Sequence, residues 1–111
     1  MENKDDKLYI YVFVRTDIPI QQQLVQACHA SSMGGEAFGN GDSSMVLLGV
    51  NNVDQLLEIS QMLDFNQIPH VMFHEPDWDM GYSALATKSV AGAERKKVRK
   101  IISKLDIQMW K

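Results

Sequence analysis

Apolar runs alternate with amphipathic stretches along this chain, and the two periods predict its elements. Residues 8–15 are almost wholly apolar, aromatic or β-branched and predict a buried strand. Residues 20–33 predict a helix. At 100° per residue, Ile20, Leu24, Ala27, Cys28 and Ser31 share its apolar side. Gln22, Gln26 and His29 fall within about 60° of one another on the opposite side. Pro19 suits the first turn, where a missing N–H costs nothing. Residues 34–44 hold four glycines and predict a flexible loop.

A second buried strand follows at Met45–Val50. Asn52 is placed to cap the next helix, with Gln55 three residues on as its capping-box partner. Val53, Leu56, Leu57, Ser60 and Leu63 give that helix one buried face, and Asn66 is its expected left-handed stop before Pro69. His70–His74 predicts a short third strand. Glu75–Gly81 is a turn-rich loop, and Tyr82–Thr87 is a fourth strand, antiparallel to another. The last helix is predicted over residues 92–105, with Val98, Ile101, Ile102 and Leu105 inward. The order β-α-β-α-β-β-α predicts an α/β fold. Two right-handed crossovers build a parallel core, and the fourth strand makes the sheet mixed. Residues 1–111 read as a single domain, with residues 1–7 expected to be disordered.

Composition narrows the class. A hydrophobic share of 45 % predicts a packed globule rather than disorder. No apolar run approaches the ~20 residues of a membrane span. The polar start, Met1 to Asp6, is not a signal peptide, and the single cysteine, Cys28, excludes a disulfide framework. Both point to the cytoplasm. The net charge of −3 conceals a division, because residues 1–90 carry −8 and residues 91–111 carry +5. A basic last helix on an acidic body can attract a phosphate-bearing ligand, or can simply be a solvated face. Met109 and Trp110 at the end suit either a homodimer contact or an anchor on the same chain.

Four constellations can carry chemistry. Asp17 stands at the end of the first strand and His29 on the next helix. A neutral imidazole accepts a proton from water, and a carboxylate holds its tautomer. Gln21, Gln22, Gln23 and Gln26 offer uncharged donors and acceptors suited to a base edge or ribose, or form a polar helix start. His70, His74, Glu75, Asp77 and Asp79 include two histidines on one strand face, but their spacing matches no established metal motif. We therefore expect no metal and no cofactor, and place those carboxylates at the rim of a strand-end cleft. Ser83 stands near the start of the fourth strand, where a hydroxyl can orient water or a carbonyl.

Val14-Arg15-Thr16-Asp17-Ile18, Gln26-Ala27-Cys28-His29-Ala30, Ile68-Pro69, the acidic loop 75–79 and Ser83-Ala84-Leu85-Ala86 occur in this order. Together they resemble the type 2 peptidyl-tRNA hydrolases over roughly residues 8–105. The resemblance implies a three-layer fold, a mixed four-stranded sheet between helices. It also implies hydrolysis of an ester to the 3′ end of tRNA. His29, Asp17, Glu75 and Ser83 would be catalytic. Arg15, Gln22, Gln26, Asp77 and Lys88 would contact the nucleotide-bearing substrate. One departure matters chemically: Gln22 stands where the family carries a lysine. The alternatives are a hydrolase or phosphodiesterase of a small or cyclic dinucleotide, and a non-catalytic protein that sequesters such a nucleotide.

Overall fold

The central strand of the sheet, β1 (Tyr9–Arg15), alternates its side chains between two cores. Tyr11 and Phe13 enter one, and Val12 and Val14 enter the other. The computed structural model describes residues 7–39 and 41–111. The other elements are α1 (Ile20–Phe38), β2 (Ser44–Val50), α2 (Val53–Phe65), β3 (His70–Glu75), β4 (Gly81–Thr87), α3 (Gly92–Lys104) and β5 (Gln108–Met109). A 3-10 turn spans Asp77–Asp79. The expectation for residues 1–6 lies outside the described residues. Lys7 is described, with its ammonium 5.4 Å from the centre of the Tyr9 ring.

The sheet is mixed, as expected, but has five strands rather than four, in the order β3-β4-β1-β2-β5. Among the described residues only β1 and β2 pair in parallel. The expected parallel core stops there, because β4 inserts antiparallel between β1 and β3. The additional strand is a two-residue ribbon against β2, too short to leave a periodic pattern in the sequence. Helices cover both faces. On one side α2 and α3 bury Leu56, Ile59, Leu63, Val98 and Ile101 against Phe13, Leu48, Val50 and Leu85. On the other, Ala27 and Ala30 of α1 lie against Val12, Val14, Ala84 and Ala86.

This second layer corrects the reading of α1 twice. The helix continues through Gly34 and Gly35 to Phe38, where a loop was predicted, and stops at a left-handed Gly39. Gly34 is buried on the helix face that carries Ala27 and Ala30, so the glycine continues the packed face rather than breaking the helix. The packed face is also rotated by about 90° from the predicted apolar one. It consists of Gln26, Ala27, Ala30 and Gly34, while Ile20, Leu24 and Cys28 are exposed. Pro19 is the N-cap residue rather than the first helical one.

The Asn52 cap of α2 forms as read, its side chain accepting from the Gln55 amide, but the Gln55 side chain accepts from the Asn51 amide rather than from that of Asn52 as in a capping box. Its stop differs by one residue. Asn66 has φ −88°, and Gln67 carries the left-handed φ of 59°. Asn66 instead folds its side-chain amide back to donate to the Met62 carbonyl.

Candidate functional site

Because β1 and β3 run in the same direction, their carboxyl ends and the start of β4 lie along one edge of the sheet. Arg15 organises this edge. Its Nε and Nη2 donate to the two carboxylate oxygens of Asp17, each at 2.9 Å. Its Nη1 donates to the carbonyls of Met80, at 2.6 Å, and Tyr82. A planar guanidinium fork facing a carboxylate two residues away is a strong, directional pair. Asp17 is therefore held by Arg15, and no described hydrogen bond joins it to His29. The expected Asp17–His29 dyad does not form for that reason.

His29 lies on the exposed side of α1, with its ring flat against Phe73 of β3 at 4.5 Å and 7°. Among the described residues none hydrogen-bonds either imidazole nitrogen. The ring borders a shallow depression of about 430 Å³ with Leu24, Val25, Cys28 and Ser32.

Beneath the helix, Ser83 and Gln26 are fully buried, and the serine hydroxyl donates to Gln26 Oε1 at 2.6 Å. Gln26 Nε2 donates in turn to Gln22 Oε1 at 3.3 Å. A polar line thus runs from β4 through α1 to Gln22, which is half-buried. A β-bulge between Phe73 and His74 gives Ser83 its position. Ser83 does not face solvent, so it orients Gln26 rather than a water or a carbonyl.

Glu75 is 8 % exposed, yet its carboxylate makes no hydrogen bond or ion pair with any described residue. It follows Phe73 by two positions, so strand alternation puts both on the α1 face, about 7 Å apart along the strand. Burying an ionisable group without a partner is costly and is uncommon outside functional sites. The loop after it is strained as well: Trp78 and Asp79 both have φ of 56°. Left-handed backbone at a bulky residue costs of order 1–3 kcal/mol, and such outliers gather at functional sites. Trp78 is 71 % exposed, and the sequence reading of this loop passed over it. The signal available was a large aromatic between two aspartates, Asp77 and Asp79, both exposed.

Two groups fall elsewhere. Lys88 follows the end of β4, and its amide donates to the Pro69 carbonyl at the start of β3. That is the opposite edge of the sheet, about 20 Å away along a seven-residue strand. Lys88 is paired there with Glu94 at 3.0 Å, and it stands four residues along β4 from Ala84, the strand partner of the Phe73 on which His29 stacks. His70 is occupied by Ser60, at 2.7 Å, and by the Ile68 carbonyl. His74 meets the Tyr82 ring edge-on. Among the described residues no three His, Cys, Asp or Glu side chains come together to hold a metal ion.

No protein-family model matches the chain, and no curated protein matches it at a significant level. Among solved structures it is similar to a protein of unknown function from Agrobacterium tumefaciens. The TM-score is 0.73, the identity is 14 %, and the match covers 95 % of this chain and 98 % of that one. At that identity the likeness is one of fold alone. No helix among the described residues is long and apolar enough to cross a membrane.

Proposed function

We propose that the chain is a hydrolase akin to the type 2 peptidyl-tRNA hydrolases, acting on an ester at the 3′ end of a nucleotide-bearing substrate. The observation that carries this reading is the buried, unpartnered carboxylate of Glu75 on the same helix-covered face as the unbonded imidazole of His29. Neither group has a hydrogen-bond or ion-pair partner among the described residues, and an imidazole and a carboxyl are the side chains best suited to general acid–base work on an ester. His29 would take a proton from water as the water oxygen attacks the ester carbonyl, and the ribose oxygen would receive that proton as it leaves. Glu75 would steady the imidazolium formed in between. Gln22, held by Gln26 and Ser83, would offer its free amide protons to the substrate. The depression beside Leu24 and Val25 would take an apolar or aromatic part of it.

The test is cleavage of N-acetyl-aminoacyl-tRNA by the purified protein. His29→Ala is expected to lower turnover at least 100-fold. Glu75→Gln is expected to lower it at least tenfold while raising the unfolding midpoint, because a neutral amide costs less to bury than an ionisable carboxyl. Unchanged turnover in His29→Ala overturns the assignment.

One observation favours a second reading. Asp17 is committed to Arg15, and Gln22 replaces the family lysine, so the site lacks two charged groups that hydrolysis would use. A protein that sequesters a small or cyclic dinucleotide without cleaving it needs neither. That reading predicts a ligand that raises the melting temperature and is recovered intact after denaturation. Recovery of cleaved nucleotide would exclude it and support a phosphodiesterase.

A further inference from the structure

The exposed face of α3 concentrates positive charge. Lys96, Lys97, Arg99, Lys100 and Lys104 fall within an arc of about 160°, all exposed, and none makes an ion pair with a described residue. The neighbouring Arg95 is not one of them. Its guanidinium lies 3.7 Å from the centre of the Tyr9 ring and donates to the Tyr11 hydroxyl, so it serves the core. Between Glu94 and Asp106 the chain has no acidic residue, although it has 14 in all. A merely solvated helix interleaves the two signs. Here Lys96, Lys100 and Lys104 stand at successive i, i+4 positions, where like charges destabilise a helix by about 0.2–0.5 kcal/mol per pair. The negative end of the helix dipole accounts for Lys104 in the last turn and for Lys100 just before it, but not for Lys96, Lys97 and Arg99. Two shallow concavities flank Lys100. One, of about 360 Å³, lies between α3 and the end of α2, with Met62, Asn66, Lys97 and Lys104. The other, of about 350 Å³, is lined by Lys96, Arg99 and Ser103.

We propose that this face binds the phosphodiester backbone of a nucleic acid, at a site separate from the His29–Glu75 edge. Five cations over about 12 Å of helix is one per roughly 2.5 Å, close to the charge density of a duplex, one phosphate per about 1.7 Å. An acidic peptide seldom sustains that density. A membrane surface is disfavoured because α3 turns its apolar side to the core, with Val98 and Ile101 buried and Ile102 packed against the same cluster, and so presents no apolar helix face to a bilayer. α3 covers the face of the sheet opposite α1, so the inference stands whether or not the hydrolase reading does.

The test is fluorescence anisotropy with labelled 20-base-pair RNA and DNA duplexes across a salt series, using the full chain. The wild type is expected to bind with a slope of log K against log salt between about −3 and −4.5. Lys96→Gln/Lys100→Gln/Lys104→Gln is expected to lose at least tenfold in affinity at low salt and to flatten the slope by about 2.7. The same variant should melt close to the wild type, since the like-charge repulsion it removes offsets the dipole interaction lost at Lys100 and Lys104, which separates lost binding from lost folding. Equal affinity in the triple variant overturns the proposal. So does a slope near zero, or binding to phosphatidylserine vesicles with no binding to either duplex. RNA bound well over DNA would identify the polymer. Cleavage of a short aminoacyl-adenosine reads the other site alone, so the two proposals fail separately.

Discussion

The Ser83 hydroxyl and the Gln26 amide meet where water is excluded, so each depends on the other. Ser83→Ala leaves Gln26 Oε1 buried without a donor, at an expected cost of about 1–3 kcal/mol in urea unfolding. Adding Gln26→Leu removes the orphaned acceptor and should restore part of that stability, because an apolar pair of similar shape needs no partner. A double variant as unstable as the sum of the two singles would show that the bond is not the reason for the pairing. Sequence alone identified Gln26, His29, Glu75 and Ser83 as residues of interest. It could not show that two of them spend themselves on each other, because side-chain pairing between residues 57 apart depends on how the helix is rotated. It likewise could not assign Asp17 to Arg15 rather than His29. Both partners were within reach by spacing, and only the bidentate geometry decides.

At the scale of elements, strands and the α2 cap were legible because short apolar, β-branched runs and an Asn–Gln pair three residues apart are local signals. The rotation and extent of α1 were not. Its packed face is built from alanine, glycine and one glutamine, and its value lies in closeness rather than in apolar area. Large apolar side chains such as Ile20, 57 % exposed, and Leu24, 49 % exposed, therefore drew the predicted face the wrong way. Close approach also governs the β1–β2 pair. A methyl group at Gly49 would stand 2.7 Å from Thr16 Cγ2, and Thr16 is fixed by its hydroxyl donating to the Val50 carbonyl. Gly49→Ala is expected to destabilise by about 1–3 kcal/mol through overpacking. Thr16→Ser keeps the hydroxyl and removes the obstructing methyl, so the double variant should regain most of the loss by calorimetry. Failure of that rescue would place the strain elsewhere.

Over the whole molecule, the chain's last residues decide what becomes of a sheet edge. The terminal apolar pair suited a homodimer or a same-chain anchor, and Trp110 is an anchor. Its amide donates to the Leu47 carbonyl, its indole N–H donates to Gln23 Oε1 at 2.7 Å, and its ring packs on the α1-side core. Gln23 in turn donates to the carbonyls of Thr16 and Ile18, so one glutamine ties the β1–α1 turn to the end of the chain. β5 covers part of β2, which would otherwise present an open edge of seven residues with Met45 already exposed. Uncovered edges of that kind pair with other chains. Deleting residues 108–111 is expected to cost about 3–5 kcal/mol, as for loss of a packed tryptophan, and to cause concentration-dependent association by size-exclusion chromatography. Trp110→Phe keeps the ring in the core and gives up only the hydrogen bond to Gln23, so it should stay in the oligomeric state of the wild type. If Trp110→Phe associates as the deletion does, the covering of β2 is not what controls self-pairing, and the bond through Gln23 is.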